Sequence, residues 1–342
     1  MSGRVSPGPD SLVPTPALLP VPCLQALDAP PEALALLQGL PHLVSLDLQS
    51  SRLQDEQLAG LQGLSGLEAL NLSANRHISS VGLQALLPRL QRLTRLELLD
   101  IDLGEEGFEL LAQQMGLRYL VCAPDNAMYD GLEQLSRLQH LTALGAPLWE
   151  VDCSEEGQWA LLCSSSLRVL SVVSVSFAAL GAETAVCQVS DLEVQCLSRS
   201  TPLLPKLSKL VVAADQEPIT VPHMEVIMQH TTLTELTLSG LINMNPSELA
   251  CLARLPRLRT LSLKSLRTSV LEITDAMLKL ILRRCTGLER LALVGLHELT
   301  DQGLDWIADM VSPVRSLEVS ECEGTTAEGL DRALRVLAMG GG

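Results

Sequence analysis

The stretch ITDAMLKLILRRCTGLERLALVGLHELTDQGL, residues 273–304, holds one full period of a repeat. At its centre, Leu288-x-x-Leu291-x-Leu293 alternates apolar and polar residues with the period of a half-buried strand. Upstream, Leu278, Ile281, Leu282 and Cys285 return at helical spacing and form one apolar stripe. Downstream, Leu299-Thr300-Asp301 restates Ile273-Thr274-Asp275 after 26 residues, so a second helix opens where the first did. Thr274 and Thr300 are placed to cap these helices, with Asp275 and Asp301 near their positive ends.

Worked outward, the same pattern starts at Leu43, Leu67, Leu93, Leu117, Leu141, Leu167, Leu207, Leu233, Leu258, Leu288 and Val314. Eight of the ten steps between these starts are 24 to 26 residues; the others are 40 and 30. A lone strand and helix of this size cannot bury its leucines, and stacking the next unit beside it covers them. The expected fold is an α/β solenoid of about eleven repeats. Parallel strands line a concave face and helices, wider than the spacing of strands, cover the convex one.

These residues resemble leucine-rich repeat proteins, and the 273–304 stretch is similar to the cysteine-containing repeats of F-box and leucine-rich-repeat proteins. Where that family places Asn or Cys in the turn after the strand, only Asn75 and Cys322 conform; Ser51, Ile101 and Val175 are among the departures. No F-box is recognisable before the repeats. The resemblance implies a module that binds protein, with substrate recruitment in ubiquitin ligation as one role. A scaffold of cytoskeletal or axonemal assemblies and a leucine-rich GTPase regulator are the alternatives.

Residues 1–31 hold eight prolines, which remove donors and block helix continuation, so a disordered leader is expected there. The repeat domain is expected over 32–338, with its first helix at 32–38. An insertion at 178–204 would explain the 40-residue step, and a flexible tail occupies 339–342. Residues 327–337 place Leu330, Leu334 and Leu337 on one stripe, an amphipathic closing helix.

Composition fits this reading. Leucine supplies 74 of 342 residues while Phe, Tyr and Trp supply seven, so leucine fills the core. The net charge of −16 divides into −11 over residues 1–171 and −5 over the rest, a field that repels phosphate backbones and anionic lipid. Neither nucleic acid nor a membrane surface is expected as partner. Nine widely spaced cysteines suit buried thiols of a reduced, cytoplasmic compartment better than a disulfide framework.

Chemistry-bearing motifs are absent. Cys153, Cys163, Cys187 and Cys196 lack the close pairs of a structural zinc site, and no metal or cofactor is expected. The six histidines, including His223 and His230, read as surface or turn residues without a nucleophile to activate. The acidic clusters at 105–106 and 150–156 lack the ligand spacing of a calcium loop. The chain therefore reads as a non-enzymatic interaction module, a monomer outside its complex. Its contact residues are expected at the apolar centre of the concave face: Tyr119, Val121, Leu148, Val169, Val173, Lys209 and Val211.

Overall fold

The structure, a computed structural model, describes residues 23–25, 34–37, 40, 42–123, 132–152, 160–176, 187–195, 197, 201, 203–213, 219–239, 249–264, 273–309 and 314–339. They divide into two compact units. The first runs to Val173 and takes in residues 187–189; the second holds residues 174–176 and everything described from Ser190 onward.

In the first unit the strands follow chain order: β1 (Cys23–Gln25), β2 (Ser45–Asp47), β3 (Ala69–Asn71), β4 (Arg95–Leu99), β5 (Tyr119–Ala123), β6 (Ala143–Asp152) and β7 (Val169–Ser176), the last reaching past the unit's end. The register aligns Leu24, Leu46, Leu70, Leu96, Leu120 and Leu144 in one row across parallel strands. That row is the fourth place of each repeat, and from Leu46 onward it is sealed from water. The second unit repeats the plan in β8 (Asp191–Val194), β9 (Lys209–Ala213), β10 (Glu235–Ser239), β11 (Thr260–Lys264), β12 (Arg290–Val294) and β13 (Ser316–Ser320). Its row is Leu192, Leu210, Leu236, Leu261, Leu291 and Leu317. Parallel strands need a return segment, and the apolar stripes supply it. Helices α1 (Leu34–Leu37), α2 (Ser80–Leu86) and α3 (Gly104–Ala112) serve the first unit. The 3-10 turns at Asp55–Leu61 and Leu132–Arg137 occupy the same place in their own repeats. In the second unit the returns are α4 (Val221–Gln229), a 3-10 turn at Ala250–Arg254, α5 (Asp275–Arg284), α6 (Asp301–Asp309) and α7 (Ala327–Met339).

Two backbone devices recur. Four residues beyond the row leucine the chain turns left-handed at Ser50, Ala74, Asp100, Gly295 and Glu321, with φ between 56° and 66°, and only one of the five is glycine. Just beyond Ala74, Asn75 is 0 % exposed: its Oδ1 accepts from Leu53 N–H at 2.9 Å, and its Nδ2 donates to Leu48 O at 2.9 Å and Leu72 O at 2.7 Å. Cys322 fills that place in the last repeat and donates from Sγ to Leu293 O at 3.7 Å. Ser51 and Ile101, which depart from Asn or Cys, are buried there as well, so the turn also closes around fillers without an amide; Val175 is buried too, but within β7.

The second device was not anticipated. Besides lying in the first turn of its own helix, Asp301 reaches to the next repeat, accepting from Thr326 N–H and Oγ1 at 2.7 Å each. Asp275 does the same for Thr300, at 2.9 and 2.5 Å, and Asp55 for Ser79, at 2.8 and 2.6 Å. Ser79 and Thr300 cap the helix they open, accepting from Val81 N–H and Gln302 N–H, both at 3.2 Å. Each link therefore ties one helix start to the next. Room for the carboxylate comes from glycine. A Cβ on Gly82, Gly303 or Gly329 would sit 2.2 to 2.3 Å from the Asp Oδ1.

The structure departs from expectation in several places. The leader expected at 1–31 contributes β1, whose Leu24 pairs in register with Leu46; two flanking prolines conceal it in the sequence, and residues 1–22 and 26–33 lie outside the described ones. The segment expected as an insertion at 178–204 contains β8. Its pattern, Val189-x-x-Leu192-x-Val194, falls 22 residues after Leu167 and only 18 before Leu207, with valine twice in place of leucine. Much of the rest of that segment lies outside the described residues. The first helix is described only over Leu34–Leu37, within the expected 32–38. The closing helix, expected over 327–337, runs on to Met339, the first residue of the expected tail; the rest of that tail lies outside the described residues.

Candidate functional site

Among the described side chains of the strands, those that alternate with the buried leucines point to the face free of helices, and strand register sets them in rows. In the first unit one row reads Ser45, Ala69, Arg95, Tyr119, Ala143, and the next Asp47, Asn71, Glu97, Val121, Gly145. Val169 N–H donates to Thr142 O as Ala143 N–H does to Arg118 O, so Val169 and Ser171 occupy the matching places on β7. The rows change size abruptly. Arg95 lies over the Tyr119 ring, 3.7 Å from its centroid, and donates through Nε and Nη2 to Glu97 Oε1 at 3.0 and 2.6 Å. Beside this stack the wall drops to Ala143 and Gly145, with Ser171 nearby, all buried. Val169 and Val173 on β7 are half-buried. The result is a shallow recess with an aromatic edge on one side and valines on the other.

The electrostatics of that edge are settled locally. Arg95 and Glu97 keep 17 % and 22 % of their side chains exposed, so their pairing is partly desolvated and holds the guanidinium over the ring. Burial pushes the Tyr119 hydroxyl up to about 12, against the lowering influence of Arg95. Tyr119 therefore stays neutral at physiological pH and can donate a hydrogen bond or present its ring; it cannot act as a base.

The residues expected at the centre of the concave face are distributed as follows. Tyr119, Val121, Val169 and Val173 share the helix-free face of the first unit. Leu148 lies on β6, but its side chain is outside the described residues. Lys209 and Val211 are on β9, in the second unit. Val121 and Val211 are only 7 % and 4 % exposed, so they floor the face and present little surface. The cause is their neighbours: Glu97 flanks Val121, and Glu193 and Thr237 flank Val211, at the close spacing of adjacent strands. Arg95, Ala143, Gly145 and Ser171 carry as much of the site's shape as the residues singled out from sequence. The strand pattern marks all of them as outward-facing, but only register shows the small residues beside the ring.

On the second unit's helix-free face, Asp191, Lys209, Glu235, Thr260, Arg290 and Ser316 form one row. Arg290 donates to Thr260 Oγ1 at 3.0 Å and to Glu235 Oε1 at 3.3 Å, so much of this row's charge is internally balanced. Two open depressions in this unit, of about 580 and 520 Å³, lie elsewhere, around His297 and Cys322 and around Arg257 and Thr286.

Among the described residues no three metal-ligating side chains come together. Cys187 donates to Leu162 O at 3.2 Å, and Cys153 and Cys196 lie outside the described residues. Burial pushes the Cys122 thiol up to about 12 and those of Cys163 and Cys285 up to about 11. The histidines are not all superficial. His223 Nδ1 accepts from Thr220 N–H at 3.1 Å in the α4 cap. His230 is buried, accepting from Leu204 N–H on Nε2 at 3.2 Å, with Nδ1 3.0 Å from Val226 O; it joins two repeats where a surface residue was expected.

Comparison with solved structures bears on the fold. A chain of the crystal structure of the Rad7 and Elc1 complex in yeast superposes with a TM-score of 0.51 at 16 % identity, over 84 % of this chain and 77 % of that one. The fold is a leucine-rich-repeat solenoid. An internalin, inlF, from Listeria monocytogenes matches with a TM-score of 0.47 at 17 % identity, covering 89 % of this chain and 92 % of that one. The leucine-rich repeat-containing protein LegL7 from Legionella pneumophila matches with 0.49 at 13 % identity, covering 93 % and 98 %. No protein-family model matches the sequence, and no curated protein matches it. Among the described residues no helix of the solenoid is long and apolar enough to cross a membrane.

Proposed function

We propose that this solenoid is a non-enzymatic protein-recognition module, and that the helix-free face of its first unit receives an extended segment of a protein partner. The observation that carries the reading is the recess between the Arg95–Tyr119 stack and Val169. Tyrosine with arginine is a combination typical of interface anchors, and here both are held rigid before any partner arrives. An apolar side chain of the partner fits over Ala143 and Gly145, its flank against the Tyr119 ring. Asp47 and Glu68 lie toward the acidic end of the face, so basic residues suit the segment on that side.

Recruitment of substrates to a ubiquitin ligase is the finer role this reading favours. Its support is the similarity of residues 273–304 to cysteine-containing repeats of F-box and leucine-rich-repeat proteins.

The test is selection of displayed extended peptides against the full chain, followed by binding to Tyr119→Ala and Gly145→Arg. Both variants should keep the melting temperature within a few degrees and weaken binding at least about tenfold, the loss of one anchor. Peptides that bind both variants as tightly as the parent chain would place recognition elsewhere.

A further inference from the structure

From β11 to β13 the two rims of the second unit carry opposite charge. Where the helices begin, Asp275 and Asp301 accept from Thr300 and Thr326. Where the helices end and the next strands begin, the charged residues are nearly all arginine. Arg254 closes the 3-10 turn, and Arg283 and Arg284 lie in the last turn of α5. Arg257 and Arg259 precede β11, Arg290 opens β12, and Arg315 precedes β13. All seven are exposed. They share one surface, because the 3-10 turn packs against α5 and the strands are paired. Glu289 N–H donates to Arg259 O and Arg315 N–H to Glu289 O, both at 2.7 Å, which sets these three residues side by side.

Two carboxylates offset part of this charge: Glu289 pairs with Arg259, and Glu235 with Arg290 at 3.3 Å. Among the described residues the other five arginines have no acidic partner. The neighbouring segments 240–248, 265–272 and 310–313 lie outside the described residues, and their sequence holds only Glu248, Arg267 and Glu272, too little acid to neutralise five. A base near a helix C-terminus has a local explanation in the helix dipole, which covers Arg254, Arg283 and Arg284. It does not cover Arg257 or Arg315, which lie off the helices. Between the repeats the rim is hollowed by the depression of about 520 Å³, with Arg257, Arg259 and Thr286 among its walls.

We propose that this rim binds an acidic segment of a protein partner, an extended stretch with Asp or Glu at every third position. The inference does not depend on the partner face of the first unit. Arg259 and Arg315 stand two strands apart, roughly 10 Å, and an extended segment advances about that far in three residues. Guanidinium and carboxylate match as paired donors and acceptors, so each such contact is directional as well as charged. The net charge of −16 repels an acid from afar, but charges beyond about 8 Å are screened at physiological ionic strength, so the rim governs a segment already close to it. Nucleic acid suits the rim less well. Trp306 is the one aromatic among the described residues of this unit, and it lies under Lys279, 3.9 Å from the ammonium, where no base can stack on that side. A lipid surface suits it less as well, since no large apolar side chain of the rim is exposed to anchor there.

Fluorescence anisotropy of the full chain with a labelled ten-residue peptide, aspartate at every third position and serine elsewhere, tests this. Binding should weaken as salt rises and disappear when the aspartates are replaced by asparagine. Arg257→Glu with Arg315→Glu, both at exposed positions, should keep the melting temperature and weaken binding at least about tenfold. If that reversal disturbs folding, Arg257→Gln with Arg315→Gln reads the same contacts and should weaken binding at least about threefold. Arg118→Glu with Arg137→Glu, an equal charge change at exposed positions of the first unit, should leave binding as it is, and so should Tyr119→Ala. No binding by the parent chain at low salt would overturn the proposal. So would equal binding of the asparagine peptide, an equal loss from the first-unit charge reversal, or tighter binding of a single-stranded oligonucleotide or of phosphatidylserine vesicles than of the peptide.

Discussion

Replacing Gly303 by alanine sets two effects of opposite sign against each other. Gly303 lies in the first turn of α6, where helix propensity alone favours alanine by about 1 kcal/mol. The added Cβ, however, would stand 2.3 Å from Asp275 Oδ1 and 2.7 Å from Leu299 Cδ1. Contacts that short are not tolerated, and the carboxylate must leave. It would give up its bonds from Thr300 N–H and Oγ1, at 2.9 and 2.5 Å. Hydrogen bonds to a charged acceptor are worth about 1.5 to 3 kcal/mol each, and these two are exposed, so the lower end applies. Their loss of about 3 kcal/mol exceeds the propensity gain, and Gly303→Ala should destabilise the protein by about 2 kcal/mol. In an Asp275→Ala background the collision with the carboxylate is gone, and the same substitution should cost at least about 1 kcal/mol less. Urea denaturation of the four proteins of this cycle measures both terms. If Gly303→Ala is neutral or stabilising, or if its cost is unchanged without Asp275, the carboxylate does not tie the two helices together.

Further outcomes follow from the same geometry. Ala74→Gly relieves a left-handed backbone that costs an L residue about 1 to 2 kcal/mol, offset in part by the freer unfolded chain, so a stabilisation of about 0.5 kcal/mol should appear in thermal melts. Leu291→Asp buries a carboxylate at a position that is 2 % exposed and should cost more than about 4 kcal/mol, enough to abolish a cooperative melt. The Asp301 carboxyl is held below the usual range, first by Thr326 N–H and then by its hydroxyl. A depressed folded value stabilises above the ordinary carboxyl range, and that contribution is lost as pH falls through the depressed value. Asp301→Asn should therefore show a flatter decline of the urea midpoint in acid than the parent chain, and identical profiles would remove Asp301 from the pH response.

How much of this could be read from residues alone depends on the distance over which each signal acts. The leucine row was legible because a single strand carries it: Leu291 and Leu293 alternate with polar residues whatever lies beside them. The strands β1 and β8 were not. Prolines surround Leu24, and Val189 and Val194 take leucine places at an irregular interval, so each is recognisable only by pairing with Leu46 or Leu210. The Asp275–Thr300 link also escaped, since an aspartate at a helix start already has a local explanation and its second role needs the next repeat in place. The candidate site shows the same limit. Tyr119 and Val169 were evident as outward-facing residues, but the recess between them exists because Ala143 and Gly145 fall in register beside the ring. Val121 and Val211 point outward as expected and are nonetheless shaded, because exposure on a sheet depends on the length of the neighbouring side chains.

The claim that the first unit's helix-free face is where a protein partner sits is tested most directly by position-specific photo-cross-linking. A photoreactive side chain is placed in turn at Val169, on that face, and at Gln84, exposed on α2, in the full chain incubated with a peptide obtained by display. The account predicts an adduct from position 169 that disappears with Tyr119→Ala, and none from position 84. An adduct from position 84 alone, or one at 169 that survives loss of the Tyr119 ring, would contradict it.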